Sequence, residues 1–472
     1  MAGCVRGGTA TTARLRLVSE PAVPTPTVSH PTPVHRVRIH PSGLSGNVRV
    51  PGDKSLSHRA LLLGALVGET VPVAGLAPSG DVAATAEALR RLGARVDLAT
   101  DTHGQLEGEV EGPLGEASDV LDCGNSGTSL RLLCGVVAGI EGLHVLSGDA
   151  SLRRRPVERV AVPLRAMGAR VEARGGGRLP PVVVHGGDLR GVVYRSPVAS
   201  AQVKSCVLLA GLRAQGPTTV ISPLPSRDHT ERLLAYLGHP VSSRLDEDGH
   251  EAVTIEPGAL RAAPVAVAGD PSSAAFWLVA AAAGAGSIEV RGVCANPTRM
   301  GVVGALRRLG AEVGSTLTGE RAGEPVATLT AAPASLTGAA LDGRLVVDAI
   351  DELPVLAVAG ALSRDGLEVA DAAELRVKES DRISVLAAAL GALGIHVEQR
   401  ADGYRVAGQQ RPRGGIVEAH GDHRIAMTAA IAGVLGTAAV EITGFEAVAT
   451  SYPTFLADLR GLGGRVEVLD AG

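Results

Sequence analysis

Two patterns of apolar and polar positions recur along the chain. The first is apolar-x-x-apolar-Gly, often continued by small-x-Val. It reads Leu89-Arg90-Arg91-Leu92-Gly93-Ala94-Arg95-Val96, Leu164-Arg165-Ala166-Met167-Gly168-Ala169-Arg170-Val171, Leu234-Ala235-Tyr236-Leu237-Gly238, Leu306-Arg307-Arg308-Leu309-Gly310-Ala311-Glu312-Val313, Leu390-Gly391-Ala392-Leu393-Gly394 and Leu459-Arg460-Gly461-Leu462-Gly463-Gly464-Arg465-Val466. Apolar residues three apart make a helical stripe, and a glycine just beyond it takes the left-handed turn that ends a helix before a strand. These glycines, at 93, 168, 238, 310, 394 and 463, follow one another at steps of 69 to 84 residues.

The second pattern precedes each of these: a short polar cluster opening a run with too few charges for an exposed helix. The clusters are Asp53-Lys54-Ser55-Leu56-Ser57-His58-Arg59, Asn125-Ser126-Gly127-Thr128-Ser129-Leu130-Arg131, Ser200-Ala201-Gln202-Val203-Lys204-Ser205, Asp270-Pro271-Ser272-Ser273, Asp351-Glu352-Leu353-Pro354 and Asp422-His423-Arg424. Asp, Ser and Asn cap helix starts, and Pro271 and Pro354 suit a first turn. The chain therefore reads as an α/β protein of six units, each with two helices and several strands in a βαβαββ cadence. Six units can pack as two domains of three with the interior helices parallel. Their N-termini would then share one face, rich in partial positive charge and free N–H groups, suited to a multiply anionic small molecule between the domains.

Residues 1–35 carry Thr9, Thr11, Thr12 and prolines 21, 24, 26, 31 and 33 without apolar periodicity, so a disordered tail or an over-long start is expected, with folded structure beginning near Val37. Its arginine-rich, acid-poor character also fits an organellar transit peptide, the lesser reading. The expected division is 1–35 as tail, 36–53 with 268–472 as the first domain, and 54–267 as the second.

Composition narrows the function classes. A net charge of −4 and 2% aromatic residues argue against nucleic-acid binding, which draws on basic excess and stacking platforms. Gly, Pro or charge interrupts every apolar run before the roughly 18–20 residues of a membrane-spanning helix. Cys4, Cys123, Cys134, Cys206 and Cys294 are dispersed with no CxxC pair, which reads as reduced thiols in a cytoplasmic protein. Of 45 basic residues only Lys54, Lys204 and Lys378 are lysine, and all three fall inside polar motifs.

The clusters and nearby loops bring Lys54, Arg59, Arg131, Arg155, Arg227, Lys378, Arg382 and Arg424 to or near helix starts. A lone cation there opposes the dipole unless it helps hold an anion. Asp351 and Glu379 stand among these cations. Their ordinary readings are an N-cap and a salt-bridge partner; their functional reading is a proton acceptor and donor in an anion-binding cleft. His423 is either a third proton-transfer group or a cap. No HExxH spacing, Walker A loop or GxSxG is present, so no metal, nucleotide cofactor or covalent serine is expected.

These residues resemble the 5-enolpyruvylshikimate-3-phosphate synthase family over about residues 36–472. The likeness rests on Gly52–Arg59, Gly124-Asn125-Ser126-Gly127-Thr128, Arg155-Pro156, Ser200-Ala201-Gln202-Val203-Lys204, Arg227-Asp228-His229-Thr230-Glu231, Asn296-Pro297-Thr298-Arg299, Arg376-Val377-Lys378-Glu379-Ser380-Asp381-Arg382 and Asp422-His423-Arg424. It implies a two-domain inside-out α/β barrel and transfer of enolpyruvyl from phosphoenolpyruvate to the 5-hydroxyl of shikimate 3-phosphate, without cofactor or metal. It also implies that Lys54, Ser55, Arg59, Ser200, Ala201, Gln202, Arg227, Asp351 and Lys378 hold shikimate 3-phosphate, and that Lys54, Gly127, Arg155, Gln202, Arg382 and Arg424 hold phosphoenolpyruvate. Asp351, Glu379 and Lys54 would move the protons, in a cytoplasmic monomer with no nucleic-acid or membrane partner.

Ala201 stands where the better-known pattern has a second serine, and Ala449-Thr450-Ser451-Tyr452-Pro453 where it has a lysine; both resemble the class II subgroup, whose members often tolerate glyphosate. Gly127 argues the other way. The rivals are the sister enzyme acting on UDP-N-acetylglucosamine, which the cysteine-free loop 147–156 disfavours, a catalytically silent anion-binding protein of the same fold, and an RNA-end-processing enzyme of related fold.

Overall fold

The computed structural model describes residues 34–469 together with Met1 and Gly3. Most of the tail expected over 1–35, and Cys4, lie outside the described residues.

Six four-stranded sheets repeat one plan. In the second unit Leu121–Asp122 runs parallel to Gly142–Ser147, which pairs antiparallel with Leu179–Gly186, itself antiparallel to Arg170–Ala173. Counted along the unit, the strand order is 1-2-4-3. The third and fifth units keep the same order and the same senses of pairing. The other three are completed by borrowed strands. Val265–Ala266 lies parallel to Val71–Leu76 in the first, Gly46–Arg49 parallel to Ile288–Cys294 in the fourth, and Arg36–His40 antiparallel to both Val440–Thr443 and Arg465–Val468 in the sixth. All six signature glycines have positive φ, between 77° and 106°, so the helix-to-strand turn is built alike in every unit.

Buried apolar side chains fall into two clusters. One draws on residues 37–50 and 274–462; the other draws on 56–268 with Cys294 and Val326. The chain passes between these two halves near residues 50–54 and 266–271. Each half is centred on three interior helices: α1 (Lys54–Val67), α2 (Gly127–Ala138) and α3 (Ala201–Gly211) in the smaller, α4 (Pro271–Ala280), α5 (Leu353–Leu362) and α6 (His423–Leu435) in the larger. The expected lack of a solvated face holds: every residue of α4 and α6 is buried.

Five of the eight aromatic residues gather in the larger half. Trp277 stacks on Phe455 with ring centroids 5.0 Å apart and donates a 3.0 Å hydrogen bond from Nε1 to the Tyr452 hydroxyl. The 449–453 segment that departs from the lysine-bearing pattern thus supplies a core tyrosine. The four described cysteines are unpaired and buried. Among the described residues no helix is long and apolar enough to cross a membrane.

Candidate active site

Five of the six interior helices begin as the sequence implies. Side-chain oxygens of Asp53, Ser126, Ser200, Asp270 and Asp422 accept hydrogen bonds from backbone N–H groups of α1, α2, α3, α4 and α6. The exception is α5. Its cap position is Glu352, which makes no capping bond, so the N-cap reading of Asp351 gives way. Glu352 instead accepts from Ser272 Oγ at the start of α4, and Asp351 is left facing the cations.

Those cations converge. Arg227 Nη2 lies 2.7 Å from Asp351 Oδ2, while Arg382 Nη1 and Lys378 Nζ lie 3.2 and 3.5 Å from Asp351 Oδ1. Arg424 Nη1 donates to the Asp351 carbonyl at 2.9 Å. Burial pushes the Asp351 carboxyl up, but Lys378, Arg424, Arg227 and Arg382 outweigh it and hold the group well below the usual carboxylate range. Glu379 pairs with Arg382 Nη2 and has Arg155 Nη1 at 3.6 Å. Burial raises it too, and Arg382 first, then Arg155 and Lys54, bring it well below 4.5. Both carboxylates are therefore ionised in this state.

Arg382 is the hub. It is 1% exposed and reaches three carboxylates: Asp422 through Nε at 2.9 Å, Asp351 and Glu379. Lys54, the first residue of α1, pairs with Asp81 at 2.9 Å. Arg155 donates to Asn125 and Ser151 beside the start of α2. Gln202, in the first turn of α3, accepts from Arg131 Nη1 at 2.7 Å and donates to Thr128 Oγ1 at 3.0 Å. Gly127 opens α2 under two guanidinium groups; a Cβ there would lie 2.8 Å from Arg131 Nη1 and 3.3 Å from Arg155 Nη1.

The remaining sequence-derived residues sit at the margins of this cluster. Ser55 is half-buried and Ala201 begins α3, while Ser200 Oγ is occupied in its cap. Arg59 lies deeper, 3% exposed, its three nitrogens donating to Thr230 Oγ1, the Ser55 carbonyl and Ser205 Oγ. His423 is buried, and burial with the charges of Lys54 and Arg424 holds it well below 6.5, so its imidazole is neutral.

Sequence reasoning missed three contributors. Arg131 was seen as a cation but not as the tie between α2, Gln202 and the Pro156 carbonyl; burial, then Arg159 and Arg155, pull it down to about 10. Asp81 and Asp422 were missed as the anions under Lys54 and Arg382. Asp422 carried a usable signal, since a capping aspartate has a second oxygen to offer.

Asp53 gives a pH prediction. Burial raises its carboxyl, but Arg299, His229 and Arg227 bring it to about 2, against 3.8 when unfolded. A depressed carboxyl stabilises the fold above its unfolded value and loses that contribution as pH falls through its folded value. Asp53→Asn, which keeps the capping oxygen, is expected to be less stable than the parent by about 2 kcal/mol at neutral pH. Urea unfolding at pH 6, 4 and 3 should show the gap narrow below pH 4; a gap independent of pH would contradict it.

The EPSP synthase (3-phosphoshikimate 1-carboxyvinyltransferase) family model matches residues 39–459. A 3-phosphoshikimate 1-carboxyvinyltransferase of Halorhodospira halophila is 49% identical over 439 residues, covering 91% of this chain and 97% of its own. One from Anaeromyxobacter is 50% identical over 426 residues, covering 89% and 96%. Among solved structures, the EPSP synthase from Acinetobacter baumannii superimposes with a TM-score of 0.78 at 39% identity over 92% of this chain and 100% of that one. The enolpyruvyl transferase NikO from Streptomyces tendae, at 20% identity and a TM-score of 0.73, shares the fold.

Proposed function

The chain belongs to the EPSP synthase (3-phosphoshikimate 1-carboxyvinyltransferase) family, and on that premise we propose how its own residues carry the reaction. The enzyme transfers the enolpyruvyl group of phosphoenolpyruvate to the 5-hydroxyl of shikimate 3-phosphate and releases phosphate, a step of aromatic amino acid biosynthesis. The reading of its site rests on one observation: Asp351 and Glu379 are two half-buried carboxylates set in a ring of Arg155, Arg227, Lys378, Arg382 and Arg424, drawn from both halves. A ring with that excess of cations suits two substrates that each carry a phosphate and a carboxylate and must meet despite repulsion.

Lys54, Gly127, Arg155, Gln202, Arg382 and Arg424 take phosphoenolpyruvate. Lys54, Ser55, Arg59, Ser200, Ala201, Gln202, Arg227, Asp351 and Lys378 take shikimate 3-phosphate. Asp351 accepts the 5-hydroxyl proton as that oxygen bonds to C2, and Glu379, assisted by Lys54, gives a proton to the C3 methylene. In the second step C3 returns a proton to Glu379, the C2–O bond to phosphate breaks, and the leaving phosphate takes the proton held by Asp351. Phosphoenolpyruvate draws Arg155 and Arg382 away from Glu379, removing the cations that keep it ionised, so that it can bear the proton it must give. The domains, divided at about residues 53 and 268, close over this chemistry and exclude water from the cation-like C2. We place the enzyme in the cytoplasm as a monomer.

The test is phosphate release from phosphoenolpyruvate with either acceptor. Shikimate 3-phosphate is expected to support turnover and UDP-N-acetylglucosamine to give none; turnover with the latter alone would overturn the reading.

A further inference from the structure

Two motifs have no part in the chemistry above: Asp228 to Glu231, following Arg227, and Asn296 to Arg299. The structure brings them together where the halves meet. Residues 229–236 form a helix whose Leu233 and Leu234 belong to the smaller core. Asn296 follows one strand and Glu324 opens another, and their Val290, Val293, Ala327 and Leu329 belong to the larger.

Each of five successive side chains engages a different partner. Arg227 reaches Asp351. Asp228 Oδ1 accepts from Asn296 Nδ2 at 2.6 Å, and Oδ2 from Arg232 Nε at 2.8 Å. His229 Nδ1 lies 2.7 Å from Glu324 Oε1, and Asn296 Nδ2 donates to Glu324 Oε2 at 2.8 Å. Thr230 Oγ1 accepts from Arg59, and Glu231 Oε1 lies 2.6 Å from Lys204 Nζ. Arg227, Asp228 and His229 reach across between the halves, through Asp351, Asn296 and Glu324, while Thr230 and Glu231 stay within the smaller one. His229 and Asn296 are 0% exposed and Glu324 is 1% exposed, so water does not compete. Cys294 Sγ donates to Glu324 Oε2 at 3.7 Å, the oxygen that also accepts from Asn296, while Oε1 faces His229. Close by, Arg299 Nη2 joins Asp53 and Asp270, the caps of α1 and α4, which follow the two passages of the chain between halves.

We propose that half-buried Asp228 and buried His229, Asn296 and Glu324 form a lock between the halves whose work is to aim Arg227 at the acceptor-binding side of the site. This rests on the reading of Arg227 as a ligand of shikimate 3-phosphate. These four are positioning residues: none of them touches Asp351 or Glu379, and they act through the backbone that carries Arg227. With the lock broken, Arg227 loses its fixed approach to the acceptor, while Arg155, Arg382 and Arg424, held by other contacts, keep their grip on phosphoenolpyruvate.

His229→Leu removes the Glu324 contact, and His229→Asn keeps a donor near the position of Nδ1. His229→Leu is expected to raise the KM for shikimate 3-phosphate about tenfold and leave the KM for phosphoenolpyruvate within about twofold, and His229→Asn to recover most of the loss. Asn296→Asp, which keeps the acceptor oxygen but sets a third acid against Asp228 and Glu324, should show the same selectivity. Thermal unfolding of each variant establishes that it is folded. Equal rises in both KM values, no rise in either, or failure of His229→Leu and Asn296→Asp alike to fold would overturn the lock in favour of plain structural support. Arg227→Gln separates the two readings. If it leaves the acceptor KM unchanged, the assignment of Arg227 fails; if it raises that KM and the His229 variants do not, the lock alone fails.

Discussion

Glu379→Gln is expected to bind shikimate 3-phosphate with near-parental affinity and to lose turnover by about 10³-fold, within the 10²–10⁴ that a positioned proton donor supplies. The substitution keeps the side chain's shape beside Arg382 and Arg155 but removes the group that can give and recover a proton. The depressed pKa of Glu379 sharpens the expectation. A carboxylate ionised alone with its arginines is a donor only after the second substrate competes for those arginines, so its proton is taken up within the loaded site. Equilibrium binding of shikimate 3-phosphate, paired with phosphate release under saturation, separates the two effects. Unchanged turnover would remove Glu379 from the mechanism.

Arg382→Met is expected to destabilise the fold by about 3–5 kcal/mol, the range for leaving a buried charge without its partner. Arg382 is nearly inaccessible and touches Asp422, Asp351 and Glu379 at once, so one substitution takes a cation from three carboxylates and leaves the fully buried Asp422 without one, while Asp351 keeps Arg227 and Lys378 and Glu379 keeps Arg155. A planar fork serves three acids where an ammonium would serve fewer, so Arg382→Lys should recover only part of the loss. The sign of the pH dependence follows from the parent. Asp351 and Glu379 lie below their unfolded values of 3.8 and 4.5, so their contribution is present above those values and fades as pH falls through the folded ones. The deficit of the variant should therefore shrink below about pH 4.5, when the carboxylates deprived of Arg382 take protons. Urea unfolding across that window reads both size and sign; a loss under 1 kcal/mol at neutral pH would show that the hub is solvated as surface pairs are.

Much of this arrangement was written in the order of residues. The repeat of apolar-x-x-apolar-Gly marked all six turns, because a helix that must stop and reverse into a strand needs a glycine at positive φ whatever it packs against. The polar clusters marked six helix starts for the same local reason, and lack of charge beyond them marked the helices as interior. Asp351 is where local reasoning failed: Glu352 occupies the cap position and makes no capping bond, its carboxylate accepting instead from Ser272 of the neighbouring helix.

What only the tertiary structure decided was pairing. Asp228 and Asn296 are 68 residues apart, Lys54 and Asp81 are 27 apart, and Arg382 and Asp422 are 40 apart. Likewise the strands completing three of the sheets come from distant chain positions. Sequence alone determined which residues turn and sink and, at every interior helix but α5, which cap, since those choices are settled within a helical turn or by transfer from water. Which acid meets which base, and across which half, depended on chain closure over tens to hundreds of residues. Burial then fixed the charge states, because a carboxylate's ionisation answers to its neighbours in space.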